Sequence, residues 1–465
     1  MSSLALKSVL VRGMSEYGMV LVLLLLCGYF SLVTIEWQEP TGSLGAEELA
    51  PRILKQFPPG TTVLIVARDN QQDAEFAHTL AERLSGAGMA VLGTVRGGPP
   101  ETRVWLESLA KAGRQLDLIA CNQEVAAWGL FDQFDRKFPA LSGAQVLAPL
   151  SYRWSSFLMP GNLLNVTMQI VIIAILAIGM TMVILTGGID LSVGSLIALS
   201  AVVATLLIRD WAGAEAASPL GMGLCCLAGI AVAGLIGLAS GLTITIFGVP
   251  PFVATLAMML VARGVALILA EGLSIYQIPE SFIWLGRGRD LLGIPNAVVL
   301  MLLLYMVAHL VMTRTALGRY IYAVGGNAEA ARLSGVRVNR ILVLVYTVCG
   351  TLAGVGGIVL ASQLKSGSPV YGYMYELYTI AAVVVGGTSL AGGEGRILGT
   401  LIGALIIAVM QNGMNLTGVR PYTQQVVLGM VLLGAVLLDT LRRKGWPHVL
   451  AVGGLLKRSL LRPWQ

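Results

Sequence analysis

The chain has 465 residues, of which 56% are hydrophobic and 12% charged, with a mean hydropathy of +0.78. A soluble domain carries about 25% charged residues, so this composition belongs to a multi-span membrane protein. The net charge of +6 sits mostly in short basic segments flanking apolar runs, which read as topology signals and not as a nucleic-acid surface.

The five cysteines form no CxxC pair, and Cys27, Cys225, Cys226 and Cys349 lie inside apolar runs, so neither a disulfide framework nor a zinc site is expected. No metal, cofactor or nucleic-acid partner is expected either.

Lys7 and Arg12 precede an uncharged run from Tyr17 to Ile35, bounded by Glu16 and Glu36 and long enough to span. No small-x-small cleavage site follows, so the run reads as a retained first span and not a signal peptide. Residues 1–36 are therefore a cytoplasmic tail and the first transmembrane helix.

From 37 to 158 the chain becomes charged and turn-rich. Thr61 to Ala67, Met89 to Val95 and Leu116 to Cys121 read as strands, alternating with helices over Gln71 to Gly86, Pro99 to Gly113 and Gln123 to Phe138. That alternation predicts an inserted α/β domain with a parallel sheet covered on both faces.

The wording VLIVARDN, AEFAHTLAERLSGAG and LDLIACNQEVAAWG in this segment resembles one lobe of the two-lobed periplasmic sugar-binding proteins. Ligands of such sheets sit beyond the carboxyl ends of the strands, which makes Arg68, Asp69, Asn70 and Asn122 ligand candidates. The other reading is a docking or spacing domain with no ligand of its own.

From 159 to 441 apolar windows fall near 163–186, 191–208, 220–240, 251–270, 294–312, 341–363, 377–393, 397–413 and 422–438. With the first span they make about ten transmembrane helices, an even number that puts both termini on one side. The connector from Thr313 to Arg340 holds Arg314, Arg319, Arg332, Arg337 and Arg340 against Glu329, and the basic tail over 442–465 begins Arg442, Arg443, Lys444. Both are expected in the cytoplasm, and the same count puts the α/β insertion outside. Gly237 and Gly241, Gly350 and Gly354, and Gly399 and Gly403 are small-xxx-small pairs for close helix packing.

The chain's organising stretch is TGGIDLSVGS at 186–195, which breaks an otherwise uncharged run from Trp154 to Ile208. Gly187 and Gly188 can close one helix, and Asp190 can cap the next. A carboxylate and bare backbone this close to hydrocarbon also suit a polar path, so Asp190 and Ser192 are pathway candidates as well.

Four further residues join them. Pro251 and Phe252 lie at a Pro-Pro break that marks a turn or a discontinuous helix. Arg263 lies well inside its apolar window and needs protein, water or an acid to face. Glu376 is either a first-turn acid or a pathway residue.

In the connector, Gly325 and Gly326 break the chain, Asn327 can cap, and Ala328 to Leu333 forms a short helix stopped by Gly335. Such a helix has no structural need of its own and reads as a surface for a partner, with Gly325, Gly326, Asn327, Glu329, Ala330, Arg332 and Gly335 as its residues.

The stretches TGGIDLSVGS, VPPF at 249–252, GRYIYAVGGNAEAARLSGV at 318–336 and YELYTIAAVVVGGTSLAGGEG at 375–395 together resemble the permease subunits of the ribose-type ATP-binding-cassette sugar importers of bacteria. The resemblance runs from about 160 to 440. It implies a monosaccharide importer in the bacterial inner membrane, with a homodimer or a pair of related permeases around one pathway. Partners implied are cytoplasmic ATP-binding-cassette ATPases, docked on the short helix between Gly325 and Val336, and a periplasmic solute-binding protein.

Two departures stand out: the family has an Asp two residues after its Glu where this chain has Tyr378, and its loop after the first span is short. The chain has no GxxxxGK[ST] phosphate loop, so ATP would be hydrolysed by another protein. The competing class is a receptor-like sensor with an outer ligand-binding lobe. A secondary transporter is disfavoured by the paucity of intramembrane acids.

Overall fold

The computed structural model describes residues 3–444, with side chains from 18 to 441. The tail from 445 onward and the side chains of Lys7, Arg12, Glu16, Arg442, Arg443 and Lys444 lie outside the described residues. Two compact units emerge: one is Thr34 to Ser156, and the other joins the first helix to everything from Phe157 onward.

After α1 (Ser3–Val33), the α/β unit runs β1 (Ile35–Gln38), α2 (Gly42–Gln56), β2 (Thr62–Ala67), α3 (Gln71–Gly86), β3 (Ala90–Arg96), α4 (Pro99–Lys111), β4 (Leu118–Cys121), α5 (Gln123–Ala126), α6 (Phe134–Lys137), β5 (Gln145–Leu147) and β6 (Tyr152–Ser155). Four strands form a parallel sheet in the order β3-β2-β4-β5.

The alternation of side chains along β2 accounts for its two covered faces. Val63, Ile65 and Ala67 pack with Phe76, Leu80 and Leu84 of α3 and with Leu49 and Ile53 of α2. Leu64 and Val66 pack with Leu106 and Leu109 of α4 and with Phe131, Phe134 and Phe138. Cys121 is fully buried on this second face, where burial pushes its thiol up to about 12, so it is inert at neutral pH.

Three features differ from the sequence reading. The helix expected over Gln123 to Phe138 is two short ones, because the chain turns between them and Gln133 adopts φ 53. The spacing that imitates one helix belongs to an aromatic row, in which the Trp128, Phe131, Phe134 and Phe138 rings follow one another at centroid distances of 6.4, 6.4 and 5.1 Å. Helix α2, absent from the reading, completes the first face. Last, β1 pairs antiparallel with β6, Ile35 opposite Ser155, so the unit runs from Thr34 to Ser156 and not from 37 to 158.

The helical unit continues with α7 (Pro160–Leu185), α8 (Val193–Asp210), α9 (Pro219–Ile246), α10 (Pro251–Leu269), α11 (Trp284–Arg287), α12 (Asn296–Arg314), α13 (Ala316–Gly326), α14 (Ala328–Leu333), α15 (Val338–Leu364), α16 (Tyr375–Val385), α17 (Ile397–Leu416) and α18 (Pro421–Lys444). Among the described residues, eight helices are long and apolar enough to cross a membrane, and Gly18–Val33 and α16 are shorter apolar helices. The window expected over 377–393 is helical only to Val385, because Gly386 and Gly387 (φ 82) end it.

Helix α7 is buried without a break from Ile170 to Leu185, with α15, α16, α17 and α12 packed around it. Two of the small-xxx-small pairs meet each other, at Gly237 and Gly350. Gly350 and Gly354 of α15 face Gly237, Ala233 and Ile230 of α9, so close that a Cβ on Gly350 would stand 2.6 Å from the Ala233 carbonyl oxygen. Gly399 and Gly403 of α17 likewise press on Gly386 and Ala382 of α16. Without side chains between them the backbones gain dispersion contacts, which is what holds helices together in lipid.

At the carboxyl ends of β2 and β4, the point where the strand order reverses, Asp73 organises a polar network. It is 1% exposed and takes hydrogen bonds from Arg68 Nε at 2.8 Å and Asn122 Nδ2 at 2.8 Å. Burial alone would raise its pKa, but the bonds from Arg68 and Asn122 and the Arg68 charge outweigh burial and hold it below the ordinary carboxylate value. Its contribution to stability is therefore present above the unfolded value of about 3.9 and is lost as pH falls through the folded value.

A fragment spanning 34–156 should unfold cooperatively by circular dichroism, and Asp73→Ala should destabilise it by about 2 to 3 kcal/mol by leaving the buried Asn122 amide without its acceptor and Arg68 without one of its two acids. Below about pH 4 the unmodified fragment should lose stability that Asp73→Asn never had. Equal acid sensitivity of the two would show that Asp73 contributes nothing.

Candidate functional site

The stretch 186–192 ends α7 and starts α8. Gly187, at φ 79, donates to the Ile184 carbonyl at 2.9 Å and Gly188 donates to Val183 at 3.1 Å, the paired closure of a helix by a left-handed glycine. Asp190 does not cap α8 directly. Its Oδ1 takes bonds from the Ser192 amide at 2.9 Å and the Ser192 hydroxyl at 2.6 Å, and Ser192 is the residue that precedes the helix.

Both Asp190 and Ser192 are fully buried, and among the described residues Asp190 Oδ2 has no nitrogen or oxygen hydrogen-bond partner. The hydroxyl of Tyr346, also unpartnered, presses on Gly188, and the Cys349 thiol lies beside the carboxylate. Thr255, in the first turn of α10, donates to the Ile189 carbonyl at 3.2 Å. That brings the Pro251 end of α10 to the same break, whereas Phe252 is more than half exposed and turns away.

A second interruption lies opposite the first turn of α8. Between α15 and α16 the chain runs from Lys365 to Met374 without helix, bridging to Ile275 at Gly367 and bonded from Ser274 Oγ to Ser368 Oγ at 2.8 Å. It follows α8 along its length: Gly367 lies against Thr205 and Ala201, and Gly372 lies against Gly194. From Thr205 to Gly194 is about 16 Å of helix, so this arm descends about half the thickness of a bilayer core before α16 begins.

Helix α16, with 11 residues, is itself about 16 Å long. The starts of α8 and α16 thus meet inside the bundle, and the carboxylate of Glu376 rests on Gly194. An acid there faces the positive ends of two helix dipoles. Only glycine at 194 leaves room for it.

Arg263 is answered by backbone and not by an acid. Its Nη1 donates to the carbonyls of Pro369 at 2.6 Å and Tyr371 at 2.8 Å, pinning the arm, while Glu376 acts on it only through its field. Of the pathway candidates, Asp190, Ser192, Pro251, Arg263 and Glu376 are therefore gathered about the paired breaks. Gly194, Thr255, Tyr346 and Gly372 complete the place. Gly194 stood within the quoted motif, but the others carry no local signal, since their role comes from the arm's path.

The connector has the form expected of it. Asn327 Oδ1 caps α14 by accepting from the Ala330 amide at 2.9 Å, and Gly335 (φ 88) closes it with Val336 donating to Ala331 at 3.0 Å. Gly326, Asn327, Glu329, Ala330 and Arg332 are exposed, as is Leu333 at 82%, while Gly325 faces inward. Glu329 and Arg332 pair at 3.6 Å, a surface contact of little worth to the fold and so open to other partners.

In the α/β unit, all four ligand candidates are engaged internally. Arg68 holds Asp73 and pairs with Glu124, Asp69 pairs with Arg96 at 3.1 Å, Asn70 caps α3, and Asn122 caps α5 while bonding Asp73. Among the described residues, no group of three or more His, Cys, Asp or Glu could hold a metal.

Residues 162–436 match the family described as branched-chain amino acid transport system / permease component. The chain is 45% identical to the ribose import permease protein RbsC of Escherichia coli (strain K12) over 302 residues, which is 63% of this chain and 90% of that one. It is 45% identical to RbsC of Bacillus subtilis (strain 168) over 61% of this chain and 86% of that one. It is 34% identical to the D-allose transport system permease protein AlsC of Escherichia coli (strain K12) over 62% and 86% respectively. No solved structure matches the chain. On its matched residues and its bundle of membrane-length helices, this chain belongs to the branched-chain amino acid transport system / permease component family, and it is a transport subunit and not an enzyme.

Proposed function

We propose that the chain is the membrane-spanning permease of an ATP-driven importer whose solute is a monosaccharide such as ribose or a close relative. The observation that carries this reading is the 45% identity across 90% of a ribose import permease. The paired breaks suit such a solute, because interrupted helices present backbone polar groups and helix ends at the membrane midplane, where a neutral polyhydroxylated molecule needs donors and acceptors and no counter-charge.

Helix α16 supports a topology of about ten crossings. If the arm over 365–374 and α16 together make one crossing, and α1 makes another, the crossings number about ten. Both termini and the α13–α14 connector then lie in the cytoplasm, and the α/β unit lies outside. Its candidate ligand residues are already engaged within the unit by Asp73, Glu124, Arg96 and helix-capping bonds, which favours a role in docking, with a solute-binding protein as the partner, over capture of free sugar. A homodimer, or a pair with a related permease, would enclose the pathway, and a separate ATPase would receive α14.

Two measurements test this. Asp190→Asn keeps an oxygen for the Ser192 bonds, so it should assemble normally. It should nonetheless cut uptake of labelled D-ribose into liposomes at least about tenfold (about 1.4 kcal/mol) if the carboxylate serves the path; undiminished uptake would leave Asp190 a turn-builder.

Reversing both charges of the connector, Glu329→Arg with Arg332→Glu, should leave the bundle folded because both residues are exposed. It should also abolish co-elution with the ATPase or its stimulation by sugar. Failure of the unmodified chain to bind any such ATPase would return the sensor reading.

A further inference from the structure

The base of α14 does not stand free on the bundle. Gly325, three residues before the helix, is set so tightly against the Leu185 carbonyl at the end of α7 that no Cβ fits. The same carbonyl accepts from the Gly393 amide at 2.9 Å. Gly393 in turn abuts Gly325 and Gly326, and Gly392 sits against Gly325, Leu185 and Gly187, a Cβ there falling 3.0 to 3.1 Å from their backbone atoms. From α13, the Tyr322 hydroxyl donates to the Gly395 carbonyl at 2.8 Å. Three backbones thus meet with almost no side chain between them, at the carboxyl end of α7, the end of α13 and the turn before α17.

We infer that Tyr322, Gly325 and Gly393 are positioning residues for transport, fastening these three segments into one joint that carries any displacement of α14 to the 186–192 break. The inference rests on the reading that α14 receives the ATPase. The physical reason lies in what surrounds the joint. Helix α14 follows Gly325 after Gly326 and Asn327 alone, and Leu185 precedes the interrupted stretch by one residue.

Side chains packed between two elements can change rotamer and absorb a movement, whereas backbone pressed on backbone and bonded to it has no such slack. The Gly393 amide also satisfies one of the carbonyls that α7 leaves open at its end, so separating the segments would expose that group. Gly429 of α18, outside both the joint and the connector, has nothing within 4 Å of a would-be Cβ, which makes it an internal control.

The test uses the full chain with its ATPase in liposomes. Nitroxides at Ser334→Cys and Glu394→Cys, both exposed, with half-buried Cys27 and Cys226 changed to alanine, report the distance between α14 and the turn by pulsed electron paramagnetic resonance. The distance distribution should be the same without nucleotide and with trapped ATP. In Gly325→Ala and Tyr322→Phe it should broaden, and uptake of labelled D-ribose should fall at least tenfold while ATP hydrolysis continues. Gly429→Ala should match the unmodified chain in all three readouts.

A shift of the 334 to 394 distance with ATP in the unmodified chain, or Gly325→Ala transporting at the normal rate, would overturn the joint. If Gly325→Ala does not assemble, the distance in the unmodified chain decides alone. If the unmodified chain fails to bind the ATPase, it is the reading of α14 that fails, and with it the purpose of the joint.

Discussion

A backbone amide or carbonyl released from a helix within a bilayer finds no water, so every interruption must be answered by another part of the chain. Here two interruptions answer each other. The stretch 186–192 is closed by its own glycines, by Ser192 on Asp190 and by Thr255 from α10. The arm over 365–374 is held by Arg263, Ser274 and its bridge to Ile275. Between them Gly194 and Gly372 touch, and the two helix starts are brought together. The rest of the bundle, with α7 at its centre and α9 clasped to α15 by glycines, keeps that meeting in place.

The α/β unit obeys the same rule in a milder form. Its sheet reverses strand order between β2 and β4, and the crevice that such a reversal opens is occupied by Asp73 with Arg68 and Asn122 around it. A carboxylate that is 1% exposed is tolerable there because charged and amide donors meet it from both strands.

Much of this was legible in the sequence, for reasons that are local. The continuous apolar run TVLIVA announces a strand buried on both faces, Asn327 and Gly335 announce the ends of α14, and Gly187 announces the end of α7. The residues that failed to declare themselves owe their role to distant partners. Nothing near Tyr346 says that its hydroxyl will meet Gly188, and Gly372 acquires meaning only once the arm is known to turn inward along α8. The window over 377–393 misled because the chain stays uncharged past Val385, where the helix does not continue; absence of charge does not record continuity of hydrogen bonding. The row of aromatics from Trp128 to Phe138 misled for a related reason, since spacing of three and four residues serves a packed cluster as well as it serves a helix.

The pairing of β1 with β6 carries one more consequence. Strand partners in an antiparallel ladder stand about 5 Å apart at their Cα atoms, and Ile35 is opposite Ser155. The chain therefore departs toward the sheet and comes back at almost the same point, as it would across an ordinary two-residue hairpin. Whatever its size, a unit whose entry and exit leave from one short ladder of its own has the geometry of an insertion, its two ends as near together as those of a tight turn.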